Sequence, residues 1–394
     1  MSGSSNPYLR IIERLDSLVK SRFIEMFGDI RVNTKSFPTT YFGDYTKQMN
    51  IGPFGSDLKN DCFVPEDEGY CMVYEQKHAI DKDFTVEKRF VNKEKYEQMR
   101  RFDVGPGDIL VSCRGTIGKC VLLPEYAEHG IIHPSLMMIK PKEDVNPAFL
   151  LMLLEKILET QNEKGSGVKM AVKATELSKI RTIKPPKSLQ DQFIEFVHQV
   201  DKSKVIAQKA AEKYDQLVKS RFIEMINGAD KIVKLGELIK PFKADKCGSN
   251  SYPVLSITRW NGLILQSERF KKEIASKDKS QYKIVPRNKL VVAFPIDEGL
   301  VCSQTIVDHG IVSPAYDLYS IDETLVHPVV LQYYLRSDIA IQYYLSKLRG
   351  TTLRRRTIPR EDFYNFDIRL PTLLEQKRYL EFLNQLDKTN SLKQ

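Results

Sequence analysis

The sequence lacks the apolar segments that mark membrane and secreted proteins. Nowhere in its 394 residues is there a run of about 18 apolar residues, the length a helix needs to cross a bilayer. The first ten residues have no hydrophobic stretch of the secretory type. We therefore expect a cytoplasmic protein.

Metal-binding patterns are equally scarce. The six cysteines form no CxxC pair and have no zinc-type spacing with histidine, which predicts reduced and mostly buried thiols. His129 and His133 are four residues apart, but Gly130 and Pro134 disfavour the helix that would bring them together. Neither a metal nor a cofactor is expected in this chain.

Two patterns suggest catalysis without completing it. Residues 5–8, Ser-Asn-Pro-Tyr, resemble the catalytic tetrapeptide of amino-methyltransferases, yet no glycine-rich cofactor loop accompanies them. Glu66, Glu75 and Lys77 have the acid and Glu-x-Lys spacing of metal-dependent nucleases, a pattern that three such residues often form by chance. We expect no catalysis within this chain.

What the sequence does contain is a duplication. Residues 16–26, DSLVKSRFIEM, recur as residues 215–225, DQLVKSRFIEM, with ten of eleven positions identical. The segment has no glycine or proline, and Leu18, Val19, Phe23 and Met26 have helical spacing. The repeat is therefore predicted to be a helix with one apolar stripe.

A second repeat, between residues 189–202 and 375–388, makes the order of the chain quasi-circular. The centre holds both halves of a helix of about 39 residues, roughly 60 Å long, and each terminus holds one half. We expect an antiparallel helix pair with a globular domain at each end; two helices buried in separate domains remain the alternative. The predicted seam of the central helix consists of Phe193, Phe196, Val200, Ala207, Ala210, Tyr214 and Leu217.

Between the helices the sequence predicts two mixed domains, an α+β fold. Short β-rich runs alternate with turns, and residues 288–293, 310–314 and 327–328 repeat the order of 107–112, 130–134 and 146–147. The predicted segments are an N-terminal helix 1–29, a first domain 30–185, a central helix 186–228, a second domain 229–370 and a C-terminal helix 371–394.

The charge pattern favours DNA as a partner. The net charge is +9, and glycine-opened basic loops at residues 165–173 and 350–358 occupy equivalent places in the two domains. Arginine can bind guanine edges or phosphates there, although a solvated loop is the alternative, and residues 52–59 form either a phosphate cradle or a turn. Arg259 and Trp260 are weaker candidates. The candidate DNA-binding residues are Lys59, Arg114, Lys169, Lys173, Arg354, Arg355 and Arg356.

The polar residues of the repeated helix suggest a second kind of partner. A buried stripe does not require identical polar residues, yet they are identical in the two copies. We therefore predict two equivalent docking surfaces for two copies of one partner. The residues are Lys20, Arg22 and Glu25 in the first copy, and Lys219, Arg221 and Glu224 in the second.

Together these features resemble the specificity subunit of Type I restriction–modification systems. The local signatures are residues 51–59, 107–110, 115–118, 251–258, Pro371 and 375–376, whereas residues 184–192 lack the usual Glu-Gln start. The resemblance implies a non-catalytic subunit that recognises a bipartite double-stranded DNA site and docks two methyltransferase subunits, with S-adenosylmethionine in those partners and restriction subunits joined through them. The rival hypotheses are a self-contained restriction or modification enzyme and a coiled-coil scaffold with two protein-binding domains.

Overall fold

The computed structural model describes residues 6–163, 173–258, 262–269, 278–349 and 357–391. Contacts divide the chain into two compact units, which are described separately. The first unit is Leu15–Ser203, and the second unit is Met1–Arg14 together with Lys204–Gln394.

The two longest predicted helices have the expected limits. The first helix ends at Phe27, and Gly28 forms the expected C-terminal cap. Gly28 has a φ of +70°, and its N–H donates to Ile24 O at 2.7 Å. The central helix, predicted over about 188–226, spans 41 residues. The helices are α1 (Pro7–Phe27), α2 (Gln76–Asp81), α3 (Lys93–Met99), α4 (Pro147–Glu163), α5 (Ala174–Leu177), α6 (Lys187–Asn227), α7 (Leu235–Leu238), α8 (Gln266–Arg269), α9 (Pro328–Leu335), α10 (Asp338–Lys347), α11 (Arg360–Tyr364) and α12 (Leu373–Ser391).

The described residues of the first unit form two four-stranded sheets and one two-stranded ribbon. Its strands are β1 (Thr39–Tyr41), β2 (Thr46–Ile51), β3 (Cys71–Tyr74), β4 (Phe90–Val91), β5 (Asp103–Val104), β6 (Ile109–Ser112), β7 (Cys120–Leu122), β8 (Gly130–Ile132), β9 (Leu136–Pro141) and β10 (Arg181–Ile183). The antiparallel sheet has the order β2-β9-β6-β7, and the mixed sheet has the order β4-β3-β8-β5, with β3 parallel to β8. The ribbon pairs β1 with β10, so the first and last strands of the unit are neighbours.

The second unit repeats the antiparallel sheet and the ribbon, but among its described residues two separate pairs, β13–β14 and β15–β18, replace the four-stranded mixed sheet. Its strands are β11 (Ile232–Lys234), β12 (Ile239–Pro241), β13 (Leu255–Thr258), β14 (Gly262–Leu265), β15 (Lys283–Pro286), β16 (Leu290–Val292), β17 (Val301–Ser303), β18 (His309–Val312), β19 (Asp317–Ile321) and β20 (Asp367–Arg369). The order β12-β19-β16-β17 repeats β2-β9-β6-β7, and the ribbon β11–β20 repeats β1–β10. The predicted α+β fold class is thus confirmed, and the duplication extends from the helices to the sheets.

The repeated helix buries the same positions in each unit. In the first unit Val19, Phe23 and Phe27 are buried, and the Phe23 and Phe193 ring centroids are 5.6 Å apart. In the second unit the buried positions are Val218, Phe222 and Ile226, and the Phe222 and Tyr379 rings are 5.7 Å apart. Each copy therefore packs on an aromatic residue of the second repeat.

Part of the predicted apolar stripe is wrong. Leu18 and Leu217 are 47% and 49% exposed, and Ala210 is only partly buried. The helix α6 instead buries Ala211 and Val218. Residues three and four positions away lie on the same side of a helix, and α6 buries the fourth residue after Ala207 and Tyr214 rather than the third.

Candidate nucleic-acid interface

Most of the two predicted basic loops lies outside the described residues. Lys169, Arg354, Arg355 and Arg356 belong to the parts of the chain that are not described, as do Arg259 and Trp260. Their role in DNA binding stays a prediction. Lys173 is described, and its exposed Nζ lies 2.9 Å from Glu176 Oε1, so its charge is partly satisfied within the protein.

The segment 52–59 forms a tight turn, and Gly52 does not contribute to a phosphate cradle. Its N–H donates to Leu136 O at 2.8 Å, and a Cβ at this position would lie 2.3 Å from His133 O. Glycine is required here because two backbone segments approach closely, so this part of the cradle prediction is wrong. Lys59 is exposed just before the 3-10 turn Asn60–Cys62.

Arg114 lies in the loop that joins β6 to β7, and the side chain of Gln76 holds the backbone of this loop through hydrogen bonds. Gln76 Nε2 donates to the carbonyl oxygens of Arg114, at 2.5 Å, and of Thr116, at 3.1 Å. The side chain of Arg114 itself is exposed. Sequence reasoning identified Arg114 but not Gln76, because the residues are 38 positions apart and no local pattern connects them.

The nuclease-like residues do not form a metal site. Glu75 is 9% exposed, and its carboxylate lies 3.1 Å from Arg89 Nη2 and 3.2 Å from Lys77 Nζ, which neutralise it. Glu66 lies in an exposed 3-10 turn. Across the described ranges there is no group of three or more His, Cys, Asp and Glu side chains that could hold a metal ion.

The cysteines are free thiols, and all but Cys62 are buried. Burial raises the pKa of Cys71, Cys113 and Cys120 to about 12 in each case, so these thiols stay protonated and are poor nucleophiles.

None of the helices in the described part of the chain combines the length and apolar character required to cross a bilayer.

Asn6, from the tetrapeptide that resembles a methyltransferase motif, has a structural role. It is 6% exposed, and its Nδ2 donates to Ala211 O at 2.8 Å and to Asp215 Oδ1 at 2.9 Å. The side chain therefore ties the start of α1 to α6 within the second unit. Its amide hydrogens are committed to these two oxygens.

The repeated polar residues form matching ion pairs. Arg22 Nη1 lies 2.8 Å from Glu25 Oε1, and Arg221 Nη1 lies 2.6 Å from Glu224 Oε2. Lys20 is exposed, whereas its counterpart Lys219 forms an ion pair with Asp338.

Beside these pairs each copy exposes the same two aliphatic residues. Leu18 and Ile24 are 47% and 61% exposed in the first copy, and Leu217 and Ile223 are 49% and 39% exposed in the second. We call these residues, with the ion pairs of the same copy, the first and second repeat faces.

The structural role of two buried glutamines was missed by sequence reasoning, although Gln376 belongs to one of the local signatures. Gln190 is 2% exposed; its Oε1 accepts from Asn146 N at 3.0 Å, and its Nε2 donates to Pro185 O at 3.0 Å. Gln376 is 1% exposed and makes the same bonds, with His327 N at 2.8 Å and Pro371 O at 2.9 Å. Their equivalent places in the second repeat were the available signal.

Comparison with known proteins identifies part of the chain. Residues 69–213 match the family model of the Type I restriction modification DNA specificity domain, which confirms the resemblance drawn from the sequence. No curated protein matches the sequence.

Three solved structures are similar to the chain. The S subunit of a Type-I restriction-modification system from M. genitalium has 10% identity and a TM-score of 0.45, over 92% of this chain and 91% of that chain. The HsdS subunit from Thermoanaerobacter tengcongensis has 12% identity and a TM-score of 0.34, over 90% of each chain. A chain from a study of complex assembly and conformational transition of the type I R-M system has 14% identity and a TM-score of 0.42, over 90% of this chain and 91% of that chain.

Proposed function

We propose that this chain, which carries a Type I restriction modification DNA specificity domain over residues 69–213, is the DNA-recognition subunit of such a system. Its two sheet-containing units each recognise one part of a bipartite, asymmetric DNA target. Its two repeat faces each dock one methyltransferase subunit, and restriction subunits join through these. The chain itself performs no catalysis, and S-adenosylmethionine binds to the methyltransferase partners.

The observation that carries the proposal is the repetition of one strand order with different residues in the loops. The order β2-β9-β6-β7 recurs as β12-β19-β16-β17. Between β6 and β7 the loop contains Arg114 and two glycines, whereas between β16 and β17 it contains Asp297 and Glu298. Two equivalent scaffolds with unlike loops are suited to recognise two unlike half-sites, because loops carry the specificity of a rigid scaffold.

The repeat faces support the docking of two identical partners. Exposed aliphatic side chains are individually unremarkable on a protein surface, but here the same pair recurs beside the same Arg–Glu ion pair. An apolar centre with a charged rim is typical of protein–protein interfaces. Because the two faces share these residues, one kind of partner fits both.

The docking proposal is tested by native mass spectrometry of the chain co-expressed with methyltransferase subunits. The native chain should bind two of them. Ile24→Glu and Ile223→Glu should each remove one partner, and the double variant should bind none, because a buried unpaired carboxylate is costly at an interface. Ile206→Glu is the matched control, since Ile206 is 70% exposed on α6 outside the repeat. A stable one-to-one complex of the native chain at saturating partner would refute the docking of two subunits.

The recognition proposal is tested by mapping methylated sites in DNA treated with the assembled complex. A single bipartite sequence with unlike halves is expected. Exchange of the whole region between β1 and β10 should change one half-site and leave the other unchanged. Methylation that follows no sequence would refute recognition by this chain.

A further inference from the structure

The loop between β6 and β7, residues 113–119, is held from inside by a buried serine. Ser112 is fully buried; its Oγ donates to Thr116 O at 2.6 Å and accepts from Lys119 N at 2.8 Å. Ser112 O also accepts from Gly118 N at 2.8 Å. Gly115 and Gly118 have φ of +63° and +78°, a conformation that glycine adopts without strain. The loop is therefore compact and fixed in shape.

The carbonyl groups and the amide groups of this loop differ in their partners. The carbonyl oxygens of Arg114 and Thr116 accept from Gln76 and Ser112. The N–H groups of Arg114, Gly115, Thr116 and Ile117 have no acceptor in the described part of the chain. Successive free amides in a turn form a donor surface suited to an anion.

The surroundings of the loop are basic. Arg114 and Lys119 are exposed. Arg89 is paired with Glu75, the residue before Gln76. The pKa of His133 lies below its ordinary value, chiefly because the ring is buried. The guanidinium groups of Arg89 and Arg114 also lower this pKa, whereas Glu75 raises it. Because Glu75 is paired with Arg89 and Lys77, its charge does not cancel that of Arg114.

The equivalent loop of the second unit provides an internal contrast. Residues 293–300 join β16 to β17 and contain the 3-10 turn Ile296–Glu298, with Asp297 and Glu298. This loop is acidic, and it has no arginine or lysine. An anion is favoured by the first loop and disfavoured by the second.

We propose that residues 113–119 bind a backbone phosphate of duplex DNA through the Arg114 guanidinium and the free loop amides, and that Gln76 is the positioning residue of this clamp. The inference rests on the proposed function and deepens it. Arginine pairs with phosphate oxygens through two parallel N–H bonds, so it gives direction as well as charge. The clamp fixes the position of the first unit on the duplex and leaves base recognition to other residues.

The test measures the affinity of the full chain for a short duplex of arbitrary sequence over a series of salt concentrations, by fluorescence anisotropy. Arg114→Ala should reduce the slope of log K against log salt by about 0.9, the value for one lost phosphate contact. Arg100→Ala is the matched control, since Arg100 is an exposed arginine of the same unit outside the loop, and it should leave the slope unchanged. Thermal melting verifies that each variant is folded.

The role of Gln76 is tested by a double-mutant cycle. Gln76→Ala frees the carbonyl group of Arg114 and leaves that of Thr116 with Ser112 as its donor, so Arg114 loses its fixed position and the salt slope should fall as in Arg114→Ala. In the Arg114→Ala background the same change should have no further effect on the slope, because the contact is already lost. An additive loss of affinity in the folded double variant would show that Gln76 does not act through Arg114 and would overturn its positioning role.

The outcomes separate this inference from the proposed function. If the native chain binds DNA and folded Arg114→Ala keeps the native slope, the phosphate clamp is wrong and the recognition role stands. If the native chain binds no duplex DNA, both are wrong. A slope reduced equally by Arg100→Ala and Arg114→Ala would also overturn the clamp, because the effect would then be one of net charge.

Discussion

The two units attach their sheets to the long helices through the same hydrogen bonds but with partly different residues. Gln190 and Gln376 each accept from the backbone N–H that precedes a helix-initiating proline, and each donates to a proline carbonyl oxygen. The residues that supply the N–H groups are Asn146 and His327. The side chain at that position could diverge because its backbone, not its side chain, meets the glutamine.

The β6–β7 and β16–β17 loops show the opposite behaviour. They occupy the same place in the same strand order, yet one contains Arg114 and the other Asp297 and Glu298. Contacts that join sheet to helix are therefore shared by the two units, whereas these loops differ: residues 114–116 are exposed, and no residue of 293–300 is. A role common to both units depends on the shared contacts, whereas the unlike loops distinguish the units.

The largest expected effect concerns the aromatic residue at the centre of each repeat. Phe23 is 2% exposed and Phe222 is 4% exposed. Replacing either one with alanine should lower the free energy of unfolding by about 3–5 kcal/mol, through lost apolar burial and the cavity left behind. Denaturant titration measures this, with Ile206→Ala as the exposed control. A loss below about 1 kcal/mol in one copy alone would show that the two copies do not share a role.

A smaller effect is expected for the glutamines. Gln190→Ala and Gln376→Ala each leave a partly buried N–H without its acceptor, which should cost about 1 kcal/mol. Hydrogen exchange should show lost protection at the amide of Asn146 in the first variant and of His327 in the second. Gln192→Ala, at an exposed position of α6, is the control. Unchanged protection would mean that the bonds do not hold the sheets to the helices.

The smallest expected effect is a difference between the two units in how their stability depends on pH. His78 is fully buried, and this burial, first among the causes, holds the pKa of its ring below the ordinary value. The unfolded chain binds a proton near pH 6.5 and the folded ring resists it, so the first unit should lose stability as the pH falls from about 6.5. Burial also lowers the pKa of His327, but that residue is exposed, so the loss in the second unit should be smaller.

This pH effect is measured by hydrogen exchange of peptides from each unit at pH 7 and pH 5, after correction for the intrinsic exchange rate. Peptides around α2 should lose protection first. His78→Leu should flatten the pH dependence, although it also removes the acceptor of the Glu75 N–H. Equal sensitivity of both units would show that the buried ring is not the cause.

Much of the fold could be predicted from local patterns. Glycine after Phe27 marked the end of α1, and β-rich runs marked β6, β7 and β9, because these signals depend on residues adjacent in the chain. The position of the seam in α6 could not be predicted to the residue, since residues three and four positions after Tyr214 lie on the same side of the helix, and the structure buries Val218 and not Leu217. Which residues of a helix are buried depends on the surface of the chain against which the helix packs.

The candidate site was harder to predict for the same reason. Arg114 was found because a basic residue beside glycine is a local pattern, whereas Gln76 reaches it from a distant part of the chain. The sequence left residues 52–59 open between a phosphate cradle and a turn, because the backbone that excludes Gly52 from a cradle, at His133, is 81 residues away in the sequence. Such contacts between distant residues can be recognised only once the pairing of the strands is known.

The ribbons β1–β10 and β11–β20 have a consequence for engineering. In each unit the first and last strands lie side by side, with Thr39 opposite Ile183 and Ile232 opposite Arg369. The two ends of the chain segment between these strands therefore lie next to each other at the ribbon. A cassette cut at both strands of a ribbon can be grafted into another chain with two joints only, both at one place and away from the exposed loops. Such chimaeras would exchange a whole sheet region without redesign of the helices.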